Sequence, residues 1–266
     1  MKLLCPICSA PLERIDRSYR CAAGHSFDLA HQGYLHLLPV QNKHSLHPGD
    51  TREQVLSRRR FLEAGFYAPI ADTLCRKAQE LGLTGPILDV GCGEGYYSTR
   101  LASAIGAELT GLDISKEAVR CAAAQYKGPT WICGTASHLP VPDGSAQVLT
   151  SLFALTMPEE FHRVLMKDGY FFQVLAQEDH LLGLKSIIYP TLTHKKKDVT
   201  PAVPGFQLLE SVPIRFPFTV EGQQVQDLLS MTPHVYRISK EGARRLAETE
   251  TLTDTASCML NIFRPL

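Results

Sequence analysis

No run of about 18 apolar residues occurs along the chain, which argues against a transmembrane helix. The start, Met1-Lys2-Leu3-Leu4-Cys5-Pro6, lacks the apolar stretch and small-residue cleavage site of a secretory signal, so a cytoplasmic, soluble protein without a membrane partner is expected. Net charge is also missing, since 27 Lys and Arg face 27 Asp and Glu. With 44% hydrophobic residues and 8 cysteines among 266 residues, the composition is neither disordered nor disulfide-dense. That length fills one large core and leaves room for a small accessory module.

The zero balance hides an asymmetry. Residues 1–60 carry nine Lys and Arg against five acids, and five histidines besides. The remainder is correspondingly acidic, so an anionic partner would suit the N-terminal quarter. The same quarter holds Cys5-x2-Cys8-x12-Cys21-x3-His25. In a reducing compartment such a cluster ligates metal, and two short pairs on opposing turns supply the tetrahedron that zinc prefers. His31 is the alternative fourth ligand and fits the pair spacing less well. No ligand position is open, so the zinc is expected to be structural. A module this small buries too little apolar surface to fold alone, and metal binding would supply much of its folding free energy. The other five cysteines stand singly, often within apolar segments.

Residues 40–50, rich in polar residues with Pro48 and Gly49, mark a linker. Asp50 or Thr51 can cap a helix beginning near Arg52 and ending at Gly65, and a second helix spans 67–81. The boundaries expected are a zinc-binding module over 1–38, linker and helices over 39–84, and a catalytic domain over 85–266.

From Pro86 strands alternate with helices: strands at 87–90, 109–113, 130–133, 146–152 and 170–175, helices at 96–105, 115–126 and 158–166. The expected fold class is α/β, a doubly wound parallel, Rossmann-like sheet. Between the first strand and its helix lies Asp89-Val90-Gly91-Cys92-Gly93-Glu94-Gly95. Its glycines let backbone approach a ligand closely, and Asp113, about 20 residues on, can accept hydrogen bonds from two ribose hydroxyls. A nucleoside-bearing cofactor follows. The acids around the turn suit a sulfonium with an amino-acid tail and would repel a pyrophosphate, which favours S-adenosylmethionine over NAD. The loop at 134–145 is similar to the adenine-side loop of class I methyltransferases, although the Asp many of them carry near Ala136-Ser137 is absent here.

A zinc ribbon joined to a class I methyltransferase core resembles the bacterial 23S rRNA guanine-N1-methyltransferase family. The resemblance spans most of the chain. It includes the metal cluster, Gly33-Tyr34, Leu37-Leu38-Pro39-Val40-Gln41, Pro48-Gly49-Asp50, Arg58-Arg59, Phe61-Leu62 and Ala64-Gly65. It continues through the glycine turn with Tyr96-Tyr97, then Gly111-Leu112-Asp113, His180-Leu181, Leu184-Lys185, Ile188-Tyr189 and Met231-Thr232-Pro233. The resemblance implies methyl transfer to N1 of a guanine in a 23S rRNA hairpin, and a homodimer. Cofactor contacts would come from Asp89, Gly91, Cys92, Gly93, Glu94, Gly95, Tyr96, Tyr97, Asp113, Ser137 and His138. Zinc would sit on Cys5, Cys8, Cys21 and His25, and the RNA would meet Lys43, Arg58 and Arg59. One departure stands out: Phe153-Ala154-Leu155 follows the fourth strand where members carry Tyr-Ala-Pro.

Guanine N1 must lose a proton around the transfer, yet no residue pattern marks a catalytic base. Two other readings stay open at this level. A small-molecule methyltransferase, or an enzyme for another RNA position, would use the same core. A non-catalytic zinc- and RNA-binding protein would have let the glycine turn and Asp113 decay.

Overall fold

The computed structural model describes residues 1–39, 48–192 and 198–266. Four short strands, β1 (Leu3–Leu4), β2 (Pro11–Ile15), β3 (Ser18–Arg20) and β4 (Ser26–Asp28), form an antiparallel sheet in chain order. The next strand, β5 (Tyr34–His36), leaves that sheet and pairs in parallel with β8 (Thr130–Cys133), at the edge of the main sheet.

Helix α1 (Arg52–Glu63) opens with a reciprocal capping box. The Thr51 hydroxyl accepts from the Gln54 N–H, and the Thr51 N–H donates to the Gln54 side chain at 2.9 Å. Helix α2 (Ala68–Glu80) follows, and then the alternation: β6 (Ile87–Val90), α3 (Tyr96–Ile105), β7 (Leu109–Asp113), α4 (Lys116–Gln125), β8, β9 (Ala146–Leu152), α5 (Pro158–Val164) and β10 (Leu165–Ala176). Ser115 caps α4, accepting from the Ala118 N–H. The helix expected to reach residue 166 stops at Val164, because Leu165 is already extended and paired with Ala146. A register break separates that pair from the Tyr170–Val148 pair.

Beyond β10 come α6 (Leu182–Ile188), β11 (Phe206–Glu221), α7 (Gln223–Ser230), α8 (Lys240–Ala247) and β12 (Thr251–Pro265). The main sheet runs β11-β12-β10-β9-β6-β7-β8-β5. It corrects the expectation of a parallel sheet, since β12 is antiparallel to both neighbours. From β6 the chain winds outward through β7 and β8, then crosses back to β9 and β10. The switch point therefore lies between the carboxyl ends of β6 and β9, where open α/β sheets bind ligands.

The two faces of the sheet are covered differently. Helices α1 to α4 and α6 to α8 pack one face, with Phe61, Leu74, Val119 and Leu228 among the buried residues. The other face is covered by α5 and by the four-stranded module, whose Leu3, Cys5, Leu12 and Cys21 share a core with Leu88, Leu112 and Phe161. The Leu4 N–H donates to the Pro140 carbonyl at 2.8 Å across that junction. The N-terminal module thus stands in for a helical layer.

Trp131, the chain's one tryptophan, is 1% exposed and packs from β8 against β7 and the turn after β6. A Cβ on Gly111 would come within 2.3 Å of its ring, and one on Gly95 within 2.5 Å. Gly111→Ala is therefore expected to cost about 1–3 kcal/mol through overpacking. Denaturant unfolding followed by the emission of this lone tryptophan reads both the loss and the ring's displacement.

Candidate functional site

One large cleft, about 1470 Å3, opens at the switch point. Its floor is the turn from β6 into α3. Gly91, Gly93 and Gly95 have φ of 83°, 56° and 84°, left-handed values that a side chain resists. Two of them are also hemmed in, because a Cβ on Gly91 would stand 2.5 Å from the Ala154 Cβ and Gly95 faces Trp131. Gly93 differs: the one atom within 4 Å of its virtual Cβ is Arg58 Nη1, at 3.9 Å. The turn's open side therefore lies over Gly93.

Asp113 borders that side. Its Oδ2 accepts from the Gly93 N–H at 2.9 Å and its Oδ1 from the Ser115 N–H at 2.8 Å. Each oxygen keeps lone-pair capacity for a ribose hydroxyl. Burial raises its carboxyl above the ordinary range, opposed by those two N–H groups and by Arg58. Asp89, 1% exposed, is pushed up to about 6 by burial, although the Thr150 hydroxyl donates to it at 2.6 Å. Glu94 is pushed by burial to about 7, with Arg58 pulling the other way, and its Oε2 has no hydrogen-bond partner among the described residues. Buried acids around an open glycine cradle fit a cationic, ribose-bearing donor.

Not every expected contact reaches the cleft. Tyr97 lines it, but Tyr96 points away, under the Arg100 guanidinium at 4.5 Å. Ser137 lines it and His138 does not. Cys92 is buried with its thiol held far above the usual range by burial and by Asp113, a packing role as much as a lining one. Lys43 lies outside the described residues. Arg58 turns into the cleft and ion-pairs with Asp50, while Arg59 pairs with Glu63 at 2.9 Å on the outer face.

The far half of the cleft is built by segments that carried the resemblance without an assigned role. His180, Lys185, Tyr189, Met231 and Pro233 all line it, joined by Tyr67, Phe153, Leu155 and Tyr236. Phe153 holds a left-handed φ of 56° and presents its ring near His180, and Leu155 is 79% exposed at the rim. The Ser257 N–H donates to His180 Nδ1 at 3.1 Å, so the neutral ring carries its proton on Nε2, 3.3 Å from the Tyr67 hydroxyl. Sequence reasoning singles out Phe153-Ala154-Leu155 but assigns no role to the others, because only the fold joins them.

In the N-terminal module, Cys5, Cys8, Cys21 and His25 bring their ligand atoms within 4.8 Å of one another. Cys8 and Cys21 sulfurs stand 3.7 Å apart, and His25 Nδ1 lies 3.6 Å and 3.3 Å from Cys5 and Cys21. Zn–S and Zn–N bonds of about 2.3 and 2.0 Å in a tetrahedron give ligand–ligand edges of this length. His31 is outside the cluster.

The zinc-ribbon family model for the N-terminal region of RlmA matches residues 3–46, and a methyltransferase-domain model matches residues 87–169. A solved structure assigned as a type II methyltransferase from Anaeromyxobacter dehalogenans superposes with a TM-score of 0.50 at 18% identity, covering 71% of this chain and 95% of that one. Fold, zinc ribbon and donor cradle together define an S-adenosylmethionine-dependent class I methyltransferase. The chain is 32% identical to the 23S rRNA (guanine(748)-N(1))-methyltransferase of Streptomyces fradiae, over 99% of this chain and 97% of that protein. It is 31% identical to a protein of Micromonospora griseorubida assigned as a 23S rRNA (guanine-N(1)-)-methyltransferase, with the same coverage. It belongs to the 23S rRNA guanine-N1-methyltransferase family.

Two outcomes follow. Glu94 ionises most readily beside a cation, so donor affinity should rise with pH through about 7, by up to about tenfold per unit, and Glu94→Gln should flatten that slope. Titration calorimetry across pH checks both. Cys8→Ser, or chelation, should release one zinc and lower the unfolding midpoint of the whole chain, since the module shares the sheet's core. A separate early transition in a thermal scan would contradict the shared core.

Proposed function

We propose that this enzyme transfers the methyl group of S-adenosylmethionine to N1 of a guanine in a 23S rRNA hairpin. The observation that carries the reading is the continuity of the cleft, from the Gly93 cradle to a mouth lined by Phe153, Leu155 and Tyr236. Its volume exceeds the roughly 300–1,000 Å3 of ordinary small-ligand sites, so donor and an extruded base can share it. Reaching N1 requires that edge to be unpaired or flipped out of the helix.

The donor, when bound, supplies an electrophilic methyl on a positively charged sulfur. The chain's own residues do the rest by placement and by excluding water. Asp113 and the turn hold the nucleoside end, and Asp89 and Glu94 balance the cationic tail. Across the cleft, the Phe153 ring offers an aromatic face to the base, and the His180–Tyr67 pair offers polar groups to its edge. Replacing the family's Tyr-Ala-Pro with Phe153-Ala154-Leu155 keeps an aromatic face and makes the rim more apolar.

Phosphates would meet the N-terminal module. Lys2, Arg14, Arg17 and Arg20 are all exposed on it, and sequence-independent affinity for RNA scales with such cations. The same reading makes the protein a cytoplasmic homodimer, as the family resemblance implies.

The test is direct. Ribosomal RNA from cells lacking the enzyme, incubated with purified protein and labelled donor, should gain N1-methylguanosine at one site, seen by mass spectrometry of nuclease fragments. Methylation at another atom, or of small acceptors alone, would refute the reading.

A further inference from the structure

The donor's tail carries an α-carboxylate as well as two cationic centres, the ammonium and the sulfonium. Asp50, Asp89, Glu94 and Asp113 all line the cleft around its donor end. They suit the cations and repel the carboxylate. A carboxylate entering there needs a fixed positive charge.

Arg58 is placed to provide it. It lines the cleft, ion-pairs with Asp50, and sets Nη1 3.9 Å from the point where a Cβ on Gly93 would stand. That is the open side of the glycine turn. The neighbouring Arg59 and Arg60 are turned elsewhere, to Glu63 and to Asp227 at 2.6 Å. Among the described residues, the other Lys and Arg on the wall, Lys185 and Arg237, belong to α6 and to the segment after Tyr236 rather than to the elements that border the turn.

The guanidinium is also held in place before any ligand arrives. The Ser115 hydroxyl donates to the Asp50 carbonyl at 2.7 Å, and the Thr51–Gln54 box fixes the start of α1 two turns before Arg58. A guanidinium has five N–H donors in a planar fork, so it can keep Asp50 and still offer a bidentate edge to a second carboxylate.

We propose that Arg58 is the receptor for the α-carboxylate of the methyl donor, with Asp50 as the residue that orients it. This assignment rests on the methyl-donor reading of the cleft and replaces the expected RNA contact at Arg58. It makes the enzyme selective for donors that carry a carboxylate.

Calorimetry with two ligands tests it, S-adenosylmethionine and its decarboxylated form, which differ at this group alone. Wild-type protein should prefer the intact donor by about tenfold or more, the size expected of a charge-assisted bidentate pair. Arg58→Ala should reduce that preference to about threefold or less, and Arg58→Lys should leave an intermediate preference, since it keeps charge without the fork. If Arg58→Ala fails to fold, Arg58→Lys carries the comparison. An unchanged preference in the variants overturns the proposal, as does an effect confined to RNA affinity and its salt dependence. If wild-type protein binds neither ligand, the methyl-donor reading itself falls, a result distinct from binding without preference.

Discussion

The turn between β6 and α3 has almost no room, and the site is organised around that shortage. Trp131 presses on Gly95 from below, and Ala154, two residues past the end of β9, presses on Gly91 from the side. The ring cannot retreat, because its Nε1–H donates to the Tyr126 carbonyl at 3.1 Å and the ring is fully buried. Only Gly93 is left facing open space, and Asp113 is tied to its N–H. A tryptophan two strands away thus decides where a donor can lie. The backbone itself forms the cradle, as close approach of a ligand to main chain requires.

A second dependence runs through the sheet's other face. A doubly wound sheet needs cover on both sides. Here one side is covered by α5 and by a module that cannot fold on its own buried area. Leu3, Leu12, Leu35 and Leu37 join the same core as Leu88 and Leu149. Each such side chain contributes about 1.5–3 kcal/mol when buried. The zinc cluster, by holding two turns of the module, therefore supports the sheet as well as the exposed basic surface. Strand β5 carries the coupling further, extending the sheet beside β8, the strand that supplies Trp131.

Much of this was legible in the residues because the signals were local. The cysteine–histidine spacing, the glycine turn, the Ser115 cap and the alternation of strands and helices each depend on neighbours within a few positions. The helix at residue 52 could be placed, but the face of Arg58 could not. Three consecutive arginines look alike in a sequence, and only the packing of α1 against α7 and the cleft sends Arg58 inward, Arg59 to Glu63 and Arg60 to Asp227. Nor could the antiparallel β12 be read, since its burial alternates only over its first residues and is near-continuous from Ala256 to Phe263, as in a parallel strand. The far wall of the cleft was hidden for a further reason. His180, Phe153 and Tyr67 come from separate elements, and no spacing rule connects them.

The acids of the donor end show why the site is costly to keep. Asp89 and Glu94 are buried so deeply that their carboxyls rise to about 6 and about 7. Above those values the folded chain must carry buried negative charge that the unfolded chain would leave in water, so folding stability falls as pH rises through them. Near neutrality Asp89 is largely ionised and Glu94 about half so, and Arg58 offsets only part of the cost, acting on Glu94 and Asp113 as well as on Asp50. An apolar floor would stabilise the fold better, yet it would offer nothing to a cationic sulfonium or ammonium. The destabilising charge and the affinity for the donor are the same electrostatic term, felt first by the empty protein and relieved when the cation arrives.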